Sequence, residues 1–175
     1  NSPALTNQRL WLEGMYVAEG WTEGNHAPRI ANDDPEVREQ ICTSLSGIDV
    51  PYTKSKRDRH AYVSLLRRNS LRGEAFCEWL THFGSNSLNK QIPDDYLSLP
   101  EEDLRVLNEG IACGDAWIPD PNKTYVSHKH KVLVHNTSSD KLAQQLKFLY
   151  LRLGLPLQMG WSKCHGGAGK NPIWR

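Results

Sequence analysis

The strongest constraint on this chain is an internal repeat. The segment Leu12-Glu13-Gly14-Met15-Tyr16-Val17-Ala18-Glu19-Gly20-Trp21 returns as Asn108-Glu109-Gly110-Ile111-Ala112-Cys113-Gly114-Asp115-Ala116-Trp117, at a constant offset of 96. Each copy carries Glu-Gly, apolar residues, a small residue, a carboxylate, a second small residue and Trp. Farther on, Asp34 to Pro51 matches Asp140 to Pro156 at an offset near 105, and turn residues around Pro119 to Lys123 account for the longer second copy. Self-similarity of this kind means one supersecondary unit used twice. At 175 residues the chain has the size of one domain and is too short for two ordinary independent ones. The copies therefore form one compact unit, with residues 1–100 as the first repeat plus a connector and 101–175 as the second.

Each copy reads helix, β-hairpin, helix, β-hairpin. A first helix is expected from about Thr6 to Ala18 and a hairpin from Trp21 to Ala31. A second helix starts at Asp34, where Asp33 or Asp34 can satisfy the free amides of the first turn, and ends at Gly47. Strands follow near Val50 to Lys54 and Ala61 to Leu66. Phe76, Trp79, Leu80 and Phe83 then recur at helical spacing within Gly73 to Phe83. Pro93 and Pro100 punctuate a connector. The second copy supplies a helix from Glu101 to Gly114, strands at Tyr125 to His128 and Lys131 to Asn136, a helix from Ser139 to Leu153, and last strands at Leu155 to Trp161 and Pro172 to Arg175.

The small residues of the repeated helix have a physical task. Gly14 and Ala18 lie four apart, as do Gly110 and Gly114, so each pair occupies one helix face. Small faces let two helix backbones approach closely. If the copies pack there, Glu19 and Asp115 emerge side by side at the helix ends. Adjacent carboxylates repel, and a divalent cation is the usual reason to place them together. Alone, each would read as a surface acid ending a core helix; repetition in register favours the cation.

Composition narrows the field without deciding it. Hydrophobic residues at 38% and charged residues at 23% fit a soluble globular protein and exclude wholesale disorder. No apolar run approaches the roughly 18 residues of a bilayer span, and Asn1 to Leu10 lacks a signal-peptide pattern, so an intracellular protein is expected. Cys42, Cys77, Cys113 and Cys164 have no close pairing and read as reduced thiols. His128, His130 and His135 lack partners at metal-ligand spacing. Gly166-Gly167-Ala168-Gly169-Lys170 lacks the leading Gly and trailing Ser or Thr of a phosphate loop. The net charge is only +1, yet Lys54, Lys56, Arg57, Arg59, Arg67, Arg68 and Arg72 crowd one stretch against a single Asp58. Such a run is a solvated face or a polyanion contact.

With these residues in view, the chain resembles the LAGLIDADG homing endonucleases, and the intein-associated (dodecapeptide) branch in particular. Leu12 to Gly20 is similar to the first signature motif, with Glu19 as its acid. Gly110 to Ala116 is similar to the second, with Asp115 as its acid and Ala116 in place of the usual Gly. Phe83-Gly84 through Lys90-Gln91-Ile92-Pro93 resembles the block that carries an active-site lysine, here Lys90. Leu142 to Gly154 resembles the block of a late amphipathic helix. The resemblance spans nearly the whole chain. With Asn at position 1 and no His-Asn pair at the end, an endonuclease domain without splicing ability is expected, either free-standing or cut from a larger parent. Within the sequence to Arg175 the second copy has no room for its final helix or a lysine matching Lys90, so either another residue such as Lys163 or Lys170 is expected to serve there or the second copy continues beyond Arg175.

This resemblance implies an α/β (α+β) fold, a pseudo-twofold pair of αββαββα repeats with two saddle-like antiparallel sheets and the motif helices packed at the centre through Gly14, Ala18, Gly110 and Gly114. It implies a monomeric, site-specific double-strand DNA endonuclease that acts as a pseudo-dimer on a long target site. Mg²⁺, or another divalent cation such as Mn²⁺, would be held by Glu19 and Asp115, with Lys90 stabilising negative charge. The sheets would lie in the major groove, which admits β-ribbons. Lys54, Lys56, Arg57, Arg59, Arg67, Arg68, Lys129, Lys131 and Lys163 are the expected DNA contacts. A cleavage-deficient DNA-binding module, a strand-biased nickase and an RNA splicing helper are the alternatives on the same scaffold.

Overall fold

The structure is a computed structural model that describes residues 6–24, 27–57, 60–66, 70–115, 135–155, 160–162 and 173–174. Helix α1 (Asn7–Glu19) begins where the Thr6 hydroxyl accepts the Arg9 amide at 3.2 Å. It ends where the Gly20 amide returns to the Tyr16 carbonyl and the chain turns straight into a strand. Every residue from Arg9 to Val17 is buried, because the helix has neighbours all round.

The first copy then completes a four-stranded antiparallel sheet. Strands β1 (Gly20–Trp21), β2 (Arg29–Ala31), β3 (Tyr52–Arg57) and β4 (His60–Leu65) pair in the order β1-β2-β4-β3. Residues alternate between faces along each strand. Ile30, Val63 and Leu65 are fully buried toward the helices, whereas Arg29, Ala31, Tyr62 and Ser64 are half-buried on the opposite face. That alternation is expected of a sheet with one face on the core and one facing outward.

Helix α2 (Pro35–Gly47) has Pro at its first position and Asp34 as its cap, accepting the Glu36 amide at 2.8 Å. It ends at Gly47, as the sequence predicts. The left-handed residue is Asp49, at φ 57°, while Gly47 still lies in the helix. An aspartate tolerates that conformation because its short side chain bonds locally. In the second copy the matching stop is a glycine, Gly154, at φ 63° after α5 (Asp140–Arg152).

Helix α3 (Leu71–Leu80) buries Phe76, Cys77 and Leu80, and a 3₁₀ turn over Thr81–Phe83 finishes the expected apolar stripe. The connector is not bare. Asp94–Ser98 forms a 3₁₀ turn that puts Tyr96 into the core. Helix α4 (Glu101–Asp115) opens the second copy with three acids in its first turn, complementing the helix dipole. Strands β5 (Trp161–Ser162) and β6 (Ile173–Trp174) pair antiparallel. The hairpin expected over Tyr125 to Asn136 falls almost wholly outside the described residues.

The two repeated helices pack side by side at very short range. A methyl group on Gly14 would sit 2.2 Å from the Leu107 carbonyl oxygen, and one on Gly110 would sit 2.1 Å from that of Trp11. One on Gly114 would meet the Ala18 Cβ at 2.5 Å. The contact is reciprocal, as a pseudo-twofold relation between α1 and α4 requires. Cys42, Cys77 and Cys113 are free thiols. Among the described residues no helix is long and apolar enough to cross a membrane.

Candidate catalytic and nucleic-acid-binding site

Close packing of α1 on α4 fixes where the repeated acids emerge. Glu19 and Asp115 are the last residues of their helices. A Cβ on Gly114 would lie 3.0 Å from the Glu19 Cγ, so the backbone just before Asp115 runs against the Glu19 side chain. The Asp115 side chain lies outside the described residues. Glu19 is half-buried and lines a cavity of about 300 Å³ with Ala18, Trp21, Ser87, Lys90 and the Asn136-Thr137-Ser138 segment that precedes α5. Both copies thus contribute walls to one recess, part polar and part apolar, with Val17 and Leu142 also lining it.

The recess is electrostatically tense. Burial pushes the Glu19 carboxyl above the usual carboxylate range, Asp33 pushes it the same way, and Lys90 opposes both. Asp33 also accepts the Ala61 amide at 3.2 Å, which ties it to the sheet. Its presence beside Glu19 was not legible in the sequence, where it read as a helix cap.

Lys90 is carried by a loop with little freedom. Asn89 accepts the amides of Ser85 and Asn86 at 2.8 and 2.9 Å, and the Gln91 amide bonds the Phe83 carbonyl at 3.0 Å. Gly84 sits at φ 87°, and a side chain there would strike the Asn89 carbonyl oxygen at 2.1 Å. Only glycine closes that turn. Lys90 itself is 4% exposed. Its ammonium lies 3.8 Å from the Tyr16 ring centroid and donates to the Tyr16 carbonyl. That carbonyl belongs to the last turn of α1, where a cation is electrostatically favoured.

Below the recess α1 carries a second, closed network. Arg9 Nε donates to Glu13 at 2.8 Å and Tyr96 donates to its other oxygen at 2.7 Å, with both α1 side chains almost wholly inaccessible. The Arg9 guanidinium lies 5.2 Å from the Trp79 ring centroid. Burial raises the Glu13 carboxyl above its usual range, against the pull of Arg9 and Tyr96. This network locks α1 to the connector.

The outward face of the sheet begins beside the recess. Trp21 and Tyr62 meet edge to face at 5.9 Å, and the Arg29 guanidinium lies 6.0 and 5.5 Å from their ring centroids. Thr53 stands opposite Ser64 and Ser55 opposite Tyr62 on the same face. Sequence reasoning did not single out Arg29, because it stands apart from the basic run.

The register sorts that run differently from its crowding in sequence. Lys54 stands opposite the buried Val63 and Lys56 opposite Ala61, on the helix side of the sheet. Lys54 reaches Glu39 of α2 at 2.8 Å. Arg57 ends β3, with its side chain outside the described residues. Arg59, Arg67, Arg68, Lys129, Lys131 and Lys163 also lie outside the described residues.

The donor set at the helix ends suits a hard divalent cation. Such ions take oxygen ligands, and Mg²⁺ is commonly held by one or two carboxylates plus substrate phosphates. Glu19 offers a carboxylate whose ionisation is disfavoured by burial and by Asp33, so a bound cation would relieve both effects. Among the described residues no cluster of three or more His, Cys, Asp or Glu side chains is present, so further ligands would have to come from Asp115, water or a phosphate.

No protein-family model matches the sequence, and no curated protein matches it. Solved structures do match in fold. I-WcaI bound to its DNA recognition sequence superposes with a TM-score of 0.61 at 17% identity, over 98% of this chain and 76% of that one. The N-terminal LAGLIDADG domain of DUF199/WhiA gives 0.60 at 10% identity, over 99% and 78%. I-DmoI in complex with DNA and Mn gives 0.54 at 10% identity, over 96% and 88%. The chain therefore has the LAGLIDADG fold, a mixed helix and antiparallel-sheet architecture.

Proposed function

We propose that this protein is a site-specific double-strand DNA endonuclease of the homing type, hydrolysing phosphodiester bonds with Mg²⁺ or Mn²⁺. The observation that carries the reading is the convergence of Glu19 and Lys90 on one recess, at the junction of the paired helix ends and the outward sheet face. Glu19 and Asp115 would hold the cation. When bound, it would polarise the scissile phosphate and stabilise the leaving oxygen. Lys90 would set a positive charge where phosphoryl negative charge develops, in a recess partly shielded from water. Ser87, Asn136, Thr137 and Ser138 offer hydroxyl and amide groups to orient a water or a phosphate oxygen.

The sheet's outward face supplies the DNA surface in this reading. Arg29, braced by two rings, presents a planar fork suited to a base edge or a phosphate, with Thr53, Ser55 and Ser64 beside it. The likeness to two DNA-bound endonuclease structures supports duplex DNA as the partner. In our reading the likeness of the motif blocks supports the intein-associated branch, with the chain acting as a monomeric pseudo-dimer.

One observation favours a second reading, a binding module without cleavage. The Lys90 ammonium is already engaged by the Tyr16 carbonyl and ring, as a purely structural lysine would be. Incubation with a randomised duplex library and Mg²⁺, followed by sequencing of cut ends and of retained uncut duplexes, separates the two. Enriched cut ends in both strands support the endonuclease, and cuts in one strand mean a nickase. Retained, uncut duplexes establish the binding module. Preference for structured RNA in gel-shift competition would replace both.

A further inference from the structure

We propose that Gln145 and Ser139, on the second copy's helix, are positioning residues for the first copy's Lys90; the inference rests on Lys90 acting in cleavage. Lys90 stands on a loop segment, where no helix or strand ladder holds the backbone. Besides the local bonds of Asn89 and Gln91, holding groups come from α5 and its cap. Gln145 Oε1 accepts the Ile92 amide at 2.8 Å and its Nε2 donates to the Ile92 carbonyl at 2.6 Å. A carboxamide set against a peptide in this way reproduces the paired bonds of a strand ladder. Its second amide proton goes to Asp94 at 3.0 Å. The Ser139 hydroxyl donates to the carbonyl of Lys90 itself at 2.6 Å and accepts the Leu142 amide at 3.1 Å as the cap of α5.

All of this is dry. Ser139 is 1% exposed, Gln145 6% and Ile92 fully buried. Losing one partner in such a place leaves buried polar groups unsatisfied rather than rehydrated. The clamp grips the peptide of Lys90 and of the residue two beyond it, so slack there moves the ammonium relative to Glu19. It also makes the recess a joint product of the copies: the first supplies Glu19 and Lys90, and the second sets where Lys90 stands. A helix-to-loop tie with no other role would lower stability alike whether or not Lys90 is present at the reacting centre.

The test is a double-mutant cycle on single-turnover Mg²⁺-dependent cleavage with Gln145→Ala, Lys90→Ala and the pair. Gln145→Ala is expected to slow cleavage about 10- to 100-fold, the scale of an ångström-level misplacement. Metal-free duplex affinity should stay within about threefold, because no phosphate contact is touched. In the Lys90→Ala background the same change should cost less than about twofold, since two residues acting as a unit are not additive. Equal losses in both backgrounds would overturn the proposal.

A second measurement needs no cleavage. Acetylation by an amine-reactive ester, read by mass spectrometry on the free protein, should find Lys90 protected in the wild type. In Gln145→Ala it should be labelled roughly tenfold faster, as expected when local protection is lost without global unfolding, with exposed Lys56 and Lys147 unchanged. Unchanged labelling of Lys90, or a rise at every lysine, counts against a positioning clamp. If the wild type cuts no duplex, the endonuclease reading fails, and the labelling still decides whether Gln145 holds Lys90.

Discussion

Glu13 and Glu19 are carboxylates of the same helix, both raised by burial, and their surroundings give them different parts. Glu13 is closed in by Arg9 and Tyr96, with nothing left to offer a ligand. Glu13→Ala would strand the Arg9 charge in the interior, and removing one partner of a buried pair costs roughly 3–5 kcal/mol. Urea unfolding should register a loss of that size, and a smaller one for Glu13→Gln, which can still accept from Tyr96. Glu19 faces an open recess, and its ionisation is less favourable folded than unfolded. Below the ordinary carboxyl value of 4.5 both states hold the proton and nothing is lost. As pH rises through the raised folded value, stability falls. Glu19→Gln escapes this, so calorimetry should find its Tm equal to the wild type's near pH 4 and higher near pH 7. Its Mg²⁺-dependent cleavage should vanish while metal-free duplex binding holds or tightens. A lower Tm at pH 7 would mean that Glu19 serves mainly as a structural partner of Lys90.

Between elements, the helix pair α1–α4 is set by backbone contact rather than by interdigitating side chains. At Gly14 and Gly110 the obstruction to a Cβ is a carbonyl oxygen, which cannot swing aside. Gly14→Ala or Gly110→Ala must therefore part the helices, and overpacking of this kind costs typically about 1–3 kcal/mol. Among the described residues, Gly160 has nothing within 4 Å of such a Cβ, so Gly160→Ala should leave the denaturation midpoint almost unmoved. A consequence reaches the recess. Parting the helices separates the ends that carry Glu19 and Asp115, so the Gly110 variant should lose more cleavage than its loss of folded fraction accounts for. Proportional losses would mean that the helix pair is only a stability element.

At the scale of the whole molecule, the sheet has one face for the core and one facing outward, and this division sorts the cations. Arg29 is 31% exposed on the outward face, with Glu23 3.8 Å from its guanidinium, whereas Lys54 points to α2 and pairs with Glu39. Arg29→Ala should weaken duplex binding and lower the dependence on log salt by about one charge if it contacts a phosphate. If it reads a base edge, the affinity loss should concentrate at one target position, at roughly 1–3 kcal/mol of discrimination. Lys54→Ala should change neither by more than a few tenths of a kcal/mol, as for other exposed ion pairs. Fluorescence anisotropy across a salt series checks both. An equal effect of the two variants would mean that DNA does not approach through the sheet's outward face.

The architecture was legible because its signals are local and repeated. Gly14 with Ala18 and Gly110 with Gly114 are pairs at helical spacing, and a surface of small residues has one use, close approach. The helix start at Asp34, with Asp33 or Asp34 as its cap, and the acids ending the repeated helices followed from the same short-range chemistry. The basic run was different. Lys54 and Lys56 cluster in sequence, but the side of a strand on which a cation stands is set by cross-strand register, and one residue of shift exchanges the faces. Only pairing with Val63 and Ala61 decided that they face the helices while Arg29 faces out. Asp33 acts on Glu19 electrostatically, and Tyr96 on Glu13 and Gln145 on Ile92 through buried hydrogen bonds, each across elements distant in sequence. Sequence determined the unit, its duplication and the acids it carries, because those depend on spacing along one helix. Tertiary structure decided which side chains surround those acids, because that depends on how separate elements pack, and no periodicity in the chain encodes it.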